Sequence, residues 1–455
     1  MTSLRYTHGV ASAREMEING IMTSTSTTGT TVAKYGATSS GAADFIPKRV
    51  LFTGGCGFIG SNVLRWLVTT YPRTKFVNLD KLDYCGNPKN IKDLADECAN
   101  YWFVRGDICD RNLVRSLFEQ HRFDCVFHFA ALSHVDRSFT ASDEFVRTNV
   151  NGTHVLLEAA IRCPTLERFI HVSTDEVYGD LSFEENRRVS ENDQMLPTNP
   201  YSASKAAAEC LVRGFSFSFR LPSIVVRPNN VFGPRQWPEK LIPKSIALFN
   251  RNMPFPVHGD GTNTRSFLFI DDVVSAFDVI MRKGTTFETY NISQPQERSN
   301  LEVLKSVLVA LGKEQGDIAN VDSQDKRYFQ YVKDRAFNDK SYLTTSVKLE
   351  ALGWKVNTTW EEGLQRTVDW YLENPNHFGD VSDALQAHYG VLTKQLHSSS
   401  PSNSKSGAGG TTDLQADQAF QLTPSSSKSK RPAPDELDHV EELPHFSQFA
   451  QGKKF

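Results

Sequence analysis

A tyrosine and a lysine stand four positions apart in Tyr201-Ser-Ala-Ser-Lys205, which opens a segment, Tyr201 to Phe215, made mostly of helix formers. At that spacing the two side chains share one helix face. A free phenol has a pKa of about 10. A neighbouring ammonium and a nicotinamide cation above it would together favour the phenolate and lower that value. Such a phenol can take the proton of an alcohol while the same carbon gives up hydride to an acceptor. The spacing also fits a packed tyrosine beside a snorkelling lysine. A second run, Val172-Ser-Thr-Asp-Glu-Val-Tyr-Gly179, supplies a hydroxyl at Thr174 and adjacent carboxyl groups at Asp175 and Glu176. Two carboxyl groups whose surroundings drive their pKa values apart make an acid/base pair. The plainer role of Asp175 and Glu176 is the acidic start of a helix.

A third run names the acceptor. The apolar stretch from Arg49 leads into Thr53-Gly-Gly-Cys-Gly-Phe-Ile-Gly60 and then into a helix-like segment, Ser61–Val68. Gly54 allows a tight turn, Gly57 lets backbone approach a pyrophosphate, and Gly60 lets the helix pack on the strand. The amides at the helix start, around Phe58 and Ile59, would meet the phosphates. Asp80, ending the next apolar run, is placed to bind ribose hydroxyls and to repel a 2′-phosphate. That favours NAD over NADP, with Lys81 as the opposing signal. Asp107, after the third run, is a candidate for the adenine edge. Glycines serving packing alone would give the same strand–turn–helix.

These residues need a scaffold. Short apolar runs recur at Arg49–Thr53, Lys75–Leu79, Tyr101–Arg105, Cys125–Phe129, Phe169–Val172 and Ile224–Arg227. Near-continuous apolar strands are buried on both faces, as in a parallel sheet. With helix-length segments between them they predict an α/β fold, a Rossmann-type doubly wound parallel sheet. Ligands then gather at the carboxyl ends of the strands, where Val172–Gly179 begins. After Asn229 prolines multiply (Pro234, Pro238, Pro243, Pro254, Pro256), which predicts a smaller, loop-rich lobe. The expected organisation is a disordered Ser/Thr-rich tail over 1–46, a cofactor domain over 47–228, a second lobe over 229–377 with some strands returning to the sheet, and a largely disordered tail over 378–455. Lys428-Ser-Lys-Arg-Pro432 reads as a solvated charge cluster or a nuclear-import patch.

The 455 residues are 39% hydrophobic with a formal net charge of −3, which makes no case for nucleic acid or an anionic membrane as partner. No apolar run is long enough to span a bilayer, and the start lacks a secretory h-region. The seven cysteines include no CxxC pair. Neither a zinc site nor a disulfide framework is expected, and a reducing, cytoplasmic setting is.

The three motifs, in this order and spacing, resemble the extended short-chain dehydrogenase/reductase family. Within it they are most similar to the dTDP-glucose 4,6-dehydratases and the UDP-glucose 4,6-dehydratases of rhamnose synthesis. Leu79-Asp-Lys-Leu-Asp-Tyr84, His128-Phe-Ala-Ala131, His134-Val-Asp136, Pro197-Thr-Asn-Pro200, Pro238-Glu-Lys-Leu-Ile-Pro243, His258-Gly-Asp-Gly261 and Leu352-Gly-Trp354 extend the resemblance over roughly Lys48 to Asn376. It implies that Tyr201, with Thr174 and Lys205, acts at the C4 hydroxyl of a nucleotide-linked glucose. Glu176 would remove the C5 proton and Asp175 would protonate the departing C6 hydroxyl, with hydride passing to NAD and back. Ile108 and Ala130 would join the glycines, Asp80, Asp107, Tyr201 and Lys205 around the cofactor. Asn230, Lys240, Leu241, Val257, His258, Arg265, Asn300 and Arg335 would hold the nucleotide sugar. Related epimerases carry small residues in place of Asp175 and Glu176, and related UDP-glucuronate decarboxylases carry Ser in place of Asp175. Phe232, Leu132 and Pro228 depart from the family pattern, and Asn338 matches its eukaryotic branch. The resemblance also implies a homodimer. The competing readings are an epimerase or decarboxylase of UDP-sugars, and a non-catalytic protein that binds NAD or a nucleotide sugar.

Overall fold

The computed structural model describes residues 44–180, 187–313, 326–334, 339–341 and 343–386. All lie within the first of two compact units, Met1–Ser398. Its centre is a seven-stranded sheet built from β1 (Arg49–Thr53), β2 (Lys75–Asp80), β3 (Tyr101–Arg105), β4 (Cys125–His128), β5 (Arg168–Val172), β6 (Ser223–Pro228) and β10 (Thr289–Ile292), in the order β10-β6-β5-β4-β1-β2-β3. Every pairing in it is parallel. The order reverses beside β1, since β1 pairs with β2 on one side and β4 on the other. In a doubly wound sheet the chain leaves such a point in opposite directions and opens a crevice.

The strands hold the sheet because both of their faces are apolar. Val50 and Phe52 belong to one core cluster, whereas Leu51 packs into another on the opposite face. Phe52 stacks on Phe127 at 5.5 Å and on Phe129 at 4.9 Å between ring centroids, locking β1 to β4. Six strands sit within a residue or so of the expected runs. The sequence reading did not place β10, which joins the edge beyond β6.

Past β6 the chain builds two smaller sheets. β7 (Asn230–Phe232) pairs in parallel with β9 (Thr264–Phe269), which pairs antiparallel with β11 (Glu297–Ser299). β8 (Phe255–His258) pairs in parallel with β12 (Phe329–Val332). Phe232, one of the departures from the family pattern, is core here, packed on Phe267, Phe269 and Trp360.

Residues 44–46 and 378–386, placed in the expected tails, are among the described residues. Phe45 donates its N–H to the Arg282 carbonyl at 3.0 Å and lies under the Arg168 guanidinium. Phe378 packs its ring 5.3 Å from that of Trp237, and a short helix, Ser382–Leu385, follows it. Phe45 and Leu385 pack against the core. The rest of both tails, with the Lys428–Pro432 run, lies outside the described residues.

Candidate active site

At the carboxyl end of β5 the chain turns into a short 3-10 helix, Asp175–Tyr178, capped by the Thr174 hydroxyl, which accepts the Glu176 N–H at 3.3 Å. The Asp175 carboxyl is 2% exposed. It accepts the Asn229 amide at 2.7 Å and the Thr174 hydroxyl at 3.2 Å. Both bonds favour the charged form, but removal from water outweighs them and raises its pKa to about 7. Glu176 is half-buried and accepts the Asn199 amide at 3.3 Å. Burial raises its pKa too, against the pull of Arg265 and Lys240.

Tyr201 and Lys205 ride on the helix Pro200–Phe219, started by Asn199 and Ser202 in a reciprocal capping box with Pro200 at its first position. Asn199 therefore starts this helix with its side-chain oxygen and holds Glu176 with its side-chain nitrogen. The Lys205 ammonium donates to the Val172 carbonyl at 2.6 Å, tying the helix to the end of β5. The protein's own groups do not by themselves lower the phenol of Tyr201. Burial raises it, Glu176 and Asp175 add to the rise, and the Thr174 hydroxyl opposes it. Lys205 is itself pushed down to about 8 by burial. The sequence shows which charges are neighbours but not how much water is excluded from them.

The cofactor cradle is built from backbone. Gly54 has φ +75°, and a Cβ there would meet the Ala130 nitrogen at 2.6 Å. A Cβ on Gly60 would meet the Gly54 carbonyl oxygen at 2.3 Å, so Gly60 is required by the turn itself. A Cβ on Gly57 would touch only that same oxygen, at 3.4 Å, which leaves open space before the helix Phe58–Thr70. No side chain caps that helix, and its first turn holds no acid, so its leading amides suit an anion. Asp80 accepts the Cys56 N–H and the Leu82 N–H, each at 2.8 Å, and each oxygen keeps a lone pair for a hydroxyl. Asp107 is gripped by Arg147 at 2.9 Å and borders the same cleft. A dinucleotide with a free ribose diol fits this set of donors and acceptors.

One cleft brings the two halves together. It is lined by Gly54, Gly57, Phe58, Ile59, Gly60, Asp80, Asp107, Ile108 and Ala130 and by Thr174, Asp175, Glu176, Tyr201 and Lys205. Asn230, Lys240, Leu241, Val257, His258, Arg265 and Asn300 line it as well. Arg335 and Asn338 lie outside the described residues. Lys240 donates to the Ser133 carbonyl at 2.8 Å, and Arg265 to the Asp339 carbonyl at 2.8 Å. Leu132, another departure, forms an apolar wall with Phe145 and Tyr201. Sequence reasoning gave no role to Asn199 and Asn229, the amides that hold the two carboxyl groups. Their positions, one before a helix-starting proline and one in an Asn pair after a strand, were the available signals. Among the described residues no group of three or more His, Cys, Asp and Glu side chains gathers to hold a metal. Nor is any described helix long and apolar enough to cross a membrane.

Known proteins share this architecture. The family described as GDP-mannose 4,6 dehydratase matches residues 51–367. A trifunctional UDP-glucose 4,6-dehydratase/UDP-4-keto-6-deoxy-D-glucose 3,5-epimerase/UDP-4-keto-L-rhamnose-reductase of Arabidopsis thaliana is 47% identical over 350 residues, which are 77% of this chain and 51% of that protein. The chain thus spans about half the length of that relative. The dTDP-D-glucose 4,6-dehydratase of Bos taurus is 44% identical over 77% of this chain and 96% of its own length. Among solved structures, the dTDP-glucose 4,6-dehydratase DesIV of Streptomyces venezuelae, with NAD and TYD bound, superposes with a TM-score of 0.66 at 34% identity, covering 72% of this chain and 98% of that one.

Proposed function

Because the chain belongs to the GDP-mannose 4,6 dehydratase family, we propose that it is an NAD-dependent hydro-lyase that converts dTDP-glucose or UDP-glucose to the 4-keto-6-deoxy sugar and water. The observation that carries this reading is the pair Asp175–Glu176, adjacent in sequence, held by separate amides and facing the same cleft as Tyr201. When bound, NAD supplies the chemistry that no side chain has, reversible hydride acceptance, so the conversion loses water without net oxidation. The glycine turn and the uncapped helix start would hold its phosphates, and Asp80 its ribose.

The residues divide the proton traffic. Tyr201 takes the proton of the C4 hydroxyl, with Thr174 within reach of the same oxygen. The ketone at C4 acidifies the C5 proton, which passes to Glu176. Asp175 gives its proton to the departing C6 hydroxyl. An acid needs its proton at working pH, and a carboxyl raised to about 7 holds one about half the time at neutrality. Arg265 and Lys240 pull Glu176 toward the charged form that a base requires. Arg265 also serves the diphosphate, Lys240 lines the same cleft, and the segment 229–377 holds most of the nucleotide sugar.

The reading includes a cytoplasmic homodimer. The odd number of cysteines, none spaced as CxxC, supports a reducing compartment. Phe217 and Phe219, each 57% exposed on the Tyr201 helix, are apolar surface that a second copy would cover. Light scattering that finds a monomer would remove the dimer. The activity is tested by incubating the purified chain with NAD and either donor at equal concentration, then reading the alkaline absorbance of the keto sugar. Product from one donor or both is expected, and none from either would sink the assignment.

A further inference from the structure

Behind the carboxyl-bearing turn lies a buried polar cluster whose members are not among the residues lining the cleft. Arg227, in β6, donates Nε to both oxygens of Glu209 at 3.0 and 3.1 Å, and Nη2 to one of them at 2.5 Å. Its Nη1 donates to the Tyr178 hydroxyl at 2.7 Å, and its guanidinium lies 4.7 Å over the Tyr178 ring. The Tyr178 hydroxyl in turn donates to Asn291 Oδ1 at 2.8 Å. Arg227, Glu209, Tyr178 and Asn291 are all buried, at 5% exposure or less.

Each member belongs to an element that carries or braces a reacting group. Tyr178 closes the 3-10 turn that presents Asp175 and Glu176. Glu209 is one helical turn beyond Lys205 and two beyond Tyr201 on the same helix face. Arg227 precedes Asn229, whose amide holds Asp175, by two residues. Asn291 fixes the neighbouring strand β10. A buried ion pair is weak evidence for stability, since apolar residues of like volume do as well. What it does supply is a defined geometry, because a guanidinium fork bonded on both of its edges permits one arrangement.

We propose that Arg227, Glu209 and Tyr178 are positioning residues, a brace that fixes the acid/base turn against the Tyr201–Lys205 helix and so sets the rate of water loss relative to oxidation at C4. The proposal rests on the dehydratase reading. Tyr178→Phe removes one hydroxyl and keeps the ring. In single-turnover reactions quenched and read by mass spectrometry, the wild-type chain should yield the dehydrated sugar with little of the C4-oxidised sugar that still carries its water. Tyr178→Phe should accumulate that oxidised, undehydrated sugar, with kcat about tenfold lower and KM unchanged. Arg227→Lys, which keeps the charge and loses the fork, should accumulate it as well. The double variant Arg227→Met/Glu209→Leu leaves no unpaired buried charge. It should retain NAD affinity and near-native circular dichroism while showing the same accumulation. A wild-type partition in the folded Tyr178→Phe and double variants, with only the thermal midpoint lowered, would overturn the proposal. Failure of the wild-type chain to turn over would instead overturn the dehydratase reading, and the brace with it.

Discussion

The two halves of the cleft are made differently. The proposed cofactor half is built from backbone: a glycine turn at positive φ, an uncapped helix start, and an aspartate whose oxygens first tie the loop together. The proposed catalytic half relies on buried and half-buried side chains whose protonation is shifted by exclusion of water, with Asp175 and Glu176 raised and Lys205 lowered. Backbone recognition depends on spacing, which a sequence carries directly. Protonation depends on burial, which a sequence carries only through the completed fold. Substitutions in the first half should therefore act on geometry and binding, and those in the second on rate and on pH.

The largest effect should fall in the catalytic half. Tyr201→Phe removes the only group assigned to the C4 proton, and general-base losses run from about 100-fold to 10,000-fold. We expect kcat to drop roughly 1,000-fold with NAD affinity and the melting temperature little changed. A small loss would mean that another group takes the proton. In the cofactor half, Gly54→Ala forces a side chain into positive φ and against the Ala130 backbone, for a loss of about 3 kcal/mol or more in unfolding free energy. Near-native denaturant stability would show that the turn can relax.

Asp175→Asn separates the halves by pH. The folded pKa of Asp175 lies above its ordinary value, so the protonated carboxyl contributes stability below about pH 4 that is lost as pH rises toward 7. The amide does not ionise. The variant should gain on the wild type by roughly 2 kcal/mol between pH 4 and pH 8, less than the full shift would give because the site can relax. Parallel stability curves across that range would contradict the burial argument. The smallest effect belongs to Gly57→Ala, where the added methyl finds open space in the protein itself. Melting should be unaffected while NAD affinity falls about tenfold, close to 1.4 kcal/mol. Unchanged NAD affinity, measured by titration calorimetry, would mean that the phosphates lie elsewhere.

The sequence carried the fold where strands were apolar on both faces. The run Arg49–Thr53 and strand β1 coincide, and so do Tyr101–Arg105 and β3. It missed Thr289–Ile292, four residues at a sheet edge, paired on one side and set in a stretch without helical rhythm. The residues proposed to react could be picked out because their motifs are contiguous. The amides of Asn199 and Asn229 could not, because each acts on a residue far along the chain. The brace was hidden for the same reason, since Tyr178, Glu209, Arg227 and Asn291 come from four elements. Among the protein's own groups burial sets the direction of the Tyr201 shift, and a sequence does not display burial.

The proposed loss of water depends above all on what Asp175 does. A single turnover of Asp175→Asn, quenched and weighed by mass spectrometry against the wild type, isolates that step. The prediction is a sugar oxidised at C4 at close to the normal rate that keeps its C6 hydroxyl. Loss of water at the wild-type rate would show that another group is the acid, and equal slowing of oxidation and water loss would show that Asp175 has no separate part in the chemistry.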